Sequence, residues 1–402
     1  MKNKLLISSA LVSGLMVGGS AIAQTSYNAE GVTGSLDLHY RAQGYSQSAG
    51  INSNEQMGRE TQLNIGKSGK LNNGWDYRAG FSLEFDGNAR NVNAGQQKAN
   101  AYRAVTSSIS SGVATATAAS DLTASVTGTV SITANADATE ANSISNENVY
   151  VDLINASSGT TLTFGVDHIQ NITQTAVPQV MGNTIDNVAV GMSAKATNTV
   201  GANPKESIGF GVIQDLGKTG IKLSGWYAPN NGDFGTTDQG SLAQSQANGP
   251  KNSAYEIGFT GANTFGVTGL TTRAFMNKEE KSTVAIAAIE GTSYGIGYAA
   301  SGFGIGVEEH KTNRVTDVLT TDQDMTIRTY GLTFAASPTV TLGAVRLKTE
   351  AVGLVDETID SLQLGYNLGP VSVVGAYSKG SDIGGIAGAD IKEGAIRLST
   401  RF

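Results

Sequence analysis

Hydrophobic and polar positions alternate along this chain with a period of two, in segments of roughly ten residues separated by turn-forming clusters. Trp75, Tyr77, Ala79, Phe81, Leu83 and Phe85 fall on one face of such a segment, and Asp76, Arg78, Gly80, Ser82, Glu84 and Asp86 on the other. Val32, Gly34, Leu36, Leu38 and Tyr40 alternate in the same way with Thr33, Ser35, Asp37, His39 and Arg41. Each pattern predicts a strand with one apolar and one wet face, which a soluble sandwich and a transmembrane barrel share. Two segments read less cleanly. Val340, Leu342 and Ala344 keep phase until Arg346 interrupts it, and Trp226 falls on a polar face, so that a bulge or a shifted boundary would account for either.

The connections separate the two architectures. Tight Gly/Asn/Pro turns are expected at about 67–74, 155–159, 215–220, 261–266, 300–302, 336–339 and 367–370, and they alternate with longer polar stretches at about 42–58, 87–146, 168–205, 228–252, 277–292, 312–325, 349–357 and 379–392. Short turns on one side and long loops on the other are what a membrane barrel requires. Seven turns and eight loops join sixteen strands. An even number lets the last strand close on the first, and closure is compulsory in lipid, where an open edge would strand backbone groups away from water. Sixteen strands enclose a lumen too wide for side chains to fill. Aromatic residues gather at the expected turn ends (Trp75, Phe259, Tyr298, Phe303, Phe334, Tyr366, Phe402) and loop ends (Tyr40, Phe85, Tyr227, Tyr377), the positions of interfacial girdles.

Lys2 and Lys4, an apolar stretch from Leu5 to Val17 and the small residues up to Ala23 form a secretory-signal pattern, so residues 1–23 are expected to be removed and 24–402 to form the barrel. Losing two lysines takes the formal net charge from −7 to −9. No later apolar run is long enough for a membrane helix, so any membrane crossing is made by strands. The chain has no cysteine, which excludes disulfides, thiolate metal sites and cysteine nucleophiles. The negative charge and the lack of a basic aromatic patch argue against nucleic-acid binding. The three histidines suggest no enzyme: His39 lies near Asp37 on an inward face, and His168 and His310 fall at or near loop ends. Asp317 to Asp324 is acidic but lacks a complete metal-ligand pattern. Residues 105–145 are low in complexity, with Asp121, Asp137 and Glu140 as their only charges, inside the loop at 87–145.

Four segments, Gly31-Val-Thr-Gly-Ser-Leu-Asp-Leu, Leu71-Asn-Asn-Gly-Trp-Asp-Tyr-Arg-Ala-Gly-Phe, Gly159-Thr-Thr-Leu-Thr-Phe-Gly-Val and Ile396-Arg-Leu-Ser-Thr-Arg-Phe, together resemble in order and spacing the sixteen-stranded trimeric porins of Gram-negative bacteria. The resemblance implies an all-β transmembrane antiparallel barrel with short periplasmic turns, long external loops and a third loop, 168–205, folded inward to narrow the channel. On that loop Gln179, Asn183, Asp186 and Lys195 become constriction candidates, with Gln174, Asn187 and Lys205 nearby. Asp186 is its single carboxylate, a departure from the acidic loops frequent in the family. By inward parity, Asp37, His39, Arg41, Arg78 and Glu84 become pore-wall candidates. The resemblance also implies a homotrimer latched by residues 87–145, outer-membrane lipids as surroundings, and Phe402 as part of the signal read by the barrel-assembly machinery. It calls for no cofactor or metal. The implied function is passive diffusion of ions and small hydrophilic solutes; a substrate-specific channel and a secreted β-rich adhesin remain alternatives.

Overall fold

The computed structural model describes residues 31–45, 53–88, 144–166, 175–181, 208–229, 253–280, 288–313, 324–385 and 387–402. The expected signal at 1–23 and the low-complexity stretch at 105–145 lie outside these residues, apart from the last two positions of that stretch. Sixteen strands run in order: β1 (Gly31–Tyr45), β2 (Ser53–Lys70), β3 (Asp76–Asn88), β4 (Ile144–Asn155), β5 (Thr160–Val166), β6 (Gly209–Asp215), β7 (Ile221–Ala228) and β8 (Ala254–Ala262); then β9 (Leu270–Glu279), β10 (Ile289–Ala300), β11 (Phe303–Thr312), β12 (Met325–Ala335), β13 (Val340–Ala351), β14 (Glu357–Asn367), β15 (Val371–Ser381) and β16 (Ile391–Arg401). Each pairs antiparallel with its sequence neighbours, and β1 pairs with β16, so the sheet is a closed barrel.

Alternation decides which side chain meets which solvent. On β16, Glu393, Ala395, Arg397 and Ser399 face inward, while Ile396, Leu398 and Phe402 face outward. Val32, Leu38 and Tyr40 of β1, Phe81 of β3, and Val149, Val151 and Leu153 of β4 extend the same apolar exterior. An exposed apolar surface this extensive is intolerable in water and is what a lipid-facing wall presents. Both segments that read poorly keep their phase. Arg346 points outward and pairs with Asp360, its Nε 2.6 Å from Oδ1 and Nη2 2.8 Å from Oδ2. Trp226 points inward and is buried against Ala228 and Ile213. The register shift lies elsewhere, between Phe81 and Leu83 where β3 meets β4.

The short turns are built by local side-chain chemistry. Ser301 and Gly302 both take positive φ, 51° and 84°, the geometry a two-residue hairpin needs to match strand twist. Asn73, Asn155, Asp215 and Asn367 each accept a hydrogen bond from a backbone N–H two residues on, which closes their turns. The closing seam is reinforced at Gly34. Its N–H donates to the Phe402 carbonyl at 2.7 Å, its own carbonyl accepts from Phe402 N–H at 3.0 Å, and the Phe402 ring occupies the place a Cβ on Gly34 would take.

Candidate functional site

The lumen holds a piece of chain that belongs to none of its strands. Thr175-Ala-Val-Pro-Gln-Val-Met181, within the third long connection, lies inside the barrel against the inner faces of β10 to β15. The wall makes room by omitting side chains. Gly297, Gly306 and Gly331 are directly paired across β10, β11 and β12, so three adjacent strands present bare backbone in one row. A Cβ on Gly306 would sit 2.7 Å from Pro178 Cδ, and one on Gly331 would collide with Val177. Farther round, Gly343 and Gly365 receive Val180, whose methyls would lie 2.9 and 2.8 Å from added Cβ atoms. Val180 and Met181 then pack with Val374, Ala376 and Ala395 on β15 and β16.

Two polar wall residues fix this segment. Glu308 Oε2 accepts hydrogen bonds from the Ala176 N–H and the Thr175 hydroxyl, both at 2.7 Å. Gln363 Oε1 accepts from the N–H groups of Val180 and Met181 at 2.8 and 3.0 Å, and its Nε2 donates back to the Met181 carbonyl. Buried backbone groups that would otherwise lack partners are thus satisfied by side chains rather than by a ladder. Glu308 is itself held: Arg273 Nη1 donates to its Oε1 at 2.9 Å, and His310 Nε2 lies 2.7 Å away. Glu308, Arg273 and His310 are 1%, 4% and 2% exposed, so the carboxylate is a buried charge whose partners are structural requirements.

The rest of the inner wall is dressed differently. Arg78 Nε donates to Asp152 Oδ2 at 3.0 Å, the Thr163 hydroxyl donates to Asp152 Oδ1 at 2.9 Å, and the guanidinium stands 5.9 Å over the Tyr150 ring. Tyr150, Trp226 and Phe275 rest against Gly80, Gly209 and Gly258 on the neighbouring strands. On the seam, Asp37, His39 and Arg397 face the lumen, with His39 and Arg397 directly opposed. Asp37 and Arg397 have no ion-pair partner among the described residues.

The expected site residues therefore divide. Gln179 lies on the inward segment and is buried; Asp37, His39 and Arg78 occupy inward positions on the wall. Arg41 and Glu84 sit on β1 and β3 at inward register positions, but their side chains are outside the described residues, as are Asn183, Asp186 and Lys195 altogether. His310 lies two residues from the end of β11, near a loop end as expected, and is buried beside Glu308 in the anchor. Sequence reasoning missed Glu308, Gln363, Arg273 and Arg397. The signal that could have found the anchor is the recurrence of inward-phase glycine on consecutive strands beside one apolar heptapeptide in a polar loop. It also missed Gly291-Thr-Ser-Tyr-Gly295, which has the Gly-x-Ser-x-Gly spacing of a hydrolase elbow. Here that run lies within β10 rather than at a strand-to-helix turn, and the buried Ser293 hydroxyl sits 3.4 Å from the Glu308 carboxylate, not on the His310 imidazole.

No protein-family model and no curated protein sequence matches the chain. Solved structures do. An anion-selective porin from Comamonas acidovorans aligns with a TM-score of 0.57 and 11% identity over 92% of this chain and 98% of that one. A triple mutant of the Rhodopseudomonas blastica porin aligns at 0.50 and 12%, over 92% and 99%. At such identities the likeness is one of fold: the chain is similar to porins in the architecture of a closed sixteen-stranded barrel.

Proposed function

We propose that this chain, built on the porin fold, is a porin of the Gram-negative outer membrane that lets ions and small hydrophilic solutes diffuse through a water-filled lumen. One observation carries the reading: a loop segment is drawn inside and pinned to one wall by Glu308 and Gln363, while the opposite wall keeps its charged side chains. A folded soluble sandwich has no use for a lumen, and an adhesin has none for a loop anchored within it. Selection in such a channel is by size and field. Asp37 and Arg397 on the seam, with the Arg78–Asp152 pair farther round, place fixed charges of both signs along a polar path, which favours hydrated solutes and disfavours apolar ones. The lumen needs no nucleophile and no cofactor for this.

The remaining expectations join the proposal on the strength of the sequence resemblance: a homotrimer latched by residues 87–145, removal of residues 1–23, a constriction continued by Asn183, Asp186 and Lys195, and Phe402 as a residue the assembly machinery reads. The test is reconstitution of the purified protein in a planar bilayer. Stepwise conductance that scales with salt is expected, together with a gel migration that changes on heating. A barrel that inserts yet carries no current overturns the reading, and flux that saturates with one solute replaces general diffusion by a dedicated channel.

A further inference from the structure

A second piece of connecting chain enters the lumen, at its other end. Met325, Ile327, Leu347, Ile359 and Ile391 occupy inward positions on β12, β13, β14 and β16 beside the long connections, and all are buried. Leu347, Ile359, Gly380 and Ile391 are directly paired in one inward row across β13 to β16, so the glycine leaves a gap between two isoleucines. Ile383, from the half-turn Ile383–Gly385 that follows β15, packs into this apolar cluster and is 3% exposed. The chain bends inward at Asp382, whose φ of 54° is left-handed. The half-turn is closed on itself. The Asp382 carbonyl accepts from Gly385 N–H at 2.9 Å, the Asp382 carboxylate accepts from Gly388 N–H at 2.7 Å, and Ile383 N–H donates to the Ala389 carbonyl at 2.8 Å. It leans on the β13–β14 connection, where Val355 N–H donates to the Gly385 carbonyl at 3.2 Å and Leu354 packs on Gly385.

Beneath this cover the lining changes. One step farther into the barrel on β12, β14 and β15, the inward residues are Thr329, Ser361 and Ser378, all buried. The Ser378 hydroxyl donates to that of Ser361 at 3.0 Å, and the Thr329 hydroxyl has no hydrogen-bond partner among the described residues. A buried hydroxyl without a partner is costly, and a permanently filled interior is better lined with apolar side chains like those that hold Ile383. Hydroxyls suit a space that water enters. An apolar cover above a hydroxylic lining therefore fits a part of the lumen that is dry with the cover down and wet when it lifts. We propose that the half-turn Ile383–Gly385 is a lid over the β12–β16 side of the external mouth, that Ile383 is its latch, and that release of the latch gives the channel a second, wider conducting state. The internal bonds let the half-turn move as one body, and the apolar residues under Ile383 make the closed position the favoured one.

The lid rests on the reading of the barrel as an outer-membrane channel, and two readouts separate their fates. Because the chain has no cysteine, Ser378→Cys puts a single thiol beneath the lid. In the purified, full-length barrel its reaction with a water-soluble maleimide should be slow. Adding Ile383→Ala should speed it about thirtyfold, the effect of cutting back the one side chain that latches the lid. In a planar bilayer the unaltered channel should step between two conductance levels, and Ile383→Ala should raise occupancy of the larger. Ile383→Cys with Ile359→Cys should lose the larger level when oxidised and regain it on reduction; this pair keeps the test open if gel migration on heating shows that the alanine variant does not fold. Labelling that stays slow in Ile383→Ala, or a single conductance level in every variant, overturns the inference and leaves the channel standing. A barrel that never conducts, yet labels faster with Ile383→Ala, keeps the lid as a moving part and sinks the channel.

Discussion

The two halves of the inner wall solve opposite problems. From β10 to β15 the wall is smooth: glycines form a bed, Glu308 and Gln363 supply acceptors, and a loop segment covers the surface so that little of it meets water. From β16 through β1 to β5 the wall is rough and wet, with Asp37, His39, Arg397 and the Arg78–Asp152 pair projecting inward. The difference teaches that one barrel can hold a packed interior and a solvated one side by side. Steric fit dominates the first, where a single methylene matters. Charge dominates the second, where half-buried side chains such as Asp37 and His39 add little to stability, while Asp152, buried beneath Arg78, is held by its partners as Glu308 is.

The largest blow to that contrast should come from Glu308→Ala. It strips the loop of two hydrogen bonds and leaves the Arg273 guanidinium buried without its main partner, a change worth about 3–5 kcal/mol. The temperature at which gel migration shifts should fall, and open-channel current should become noisier. An unaltered transition would mean that water already shares this site. Next comes Gly331→Leu, which drives a side chain into Val177 and Pro178 at an overpacking cost of about 1–3 kcal/mol. The β-ladder is untouched, so secondary structure by circular dichroism should persist while single-channel conductance moves; unchanged conductance would remove the loop from the conduction path. Smallest in energy is Arg397→Glu on the wet half. Melting should move by less than about 0.5 kcal/mol, yet the zero-current potential in a salt gradient should shift towards cation preference. No shift would place Arg397 outside the ion path.

Much of the barrel was legible because its rules are local. A period of two, the Asn/Gly turns and the spacing of long connections each follow from neighbouring residues, and all seven expected turns coincide with observed ones to within a few positions. Arg346 and Trp226 misled because alternation was read as apolar outside and polar inside. The observed rule is only that phase is kept: Arg346 stays outward by pairing with Asp360 across the strand, and Trp226 stays inward by resting on Gly209. Gly209 and Trp226 are seventeen positions apart, and such pairings cannot be seen along one segment. The loop anchor was illegible for the same reason in stronger form. Glu308 and Gln363 look like ordinary inward polar residues until the fold brings Ala176 and Val180 to them from more than a hundred positions away.

The Gly34–Phe402 contact lies on a seam unlike the others. Fifteen of the sixteen strand pairs join sequence neighbours, and the seven joined by tight turns can zip as hairpins on the timescale of short loops. The β1–β16 pair joins Tyr45 to Ile391 and Ser35 to Arg401, so nearly the whole chain separates its partners. Contacts so remote form slowly. Until they do, two ladder edges stand open, each able to capture a strand from another unfinished molecule. The late step of this fold is therefore a race between ring closure within one molecule and polymerisation between molecules, and its outcome should depend on how dilute the nascent chains are kept.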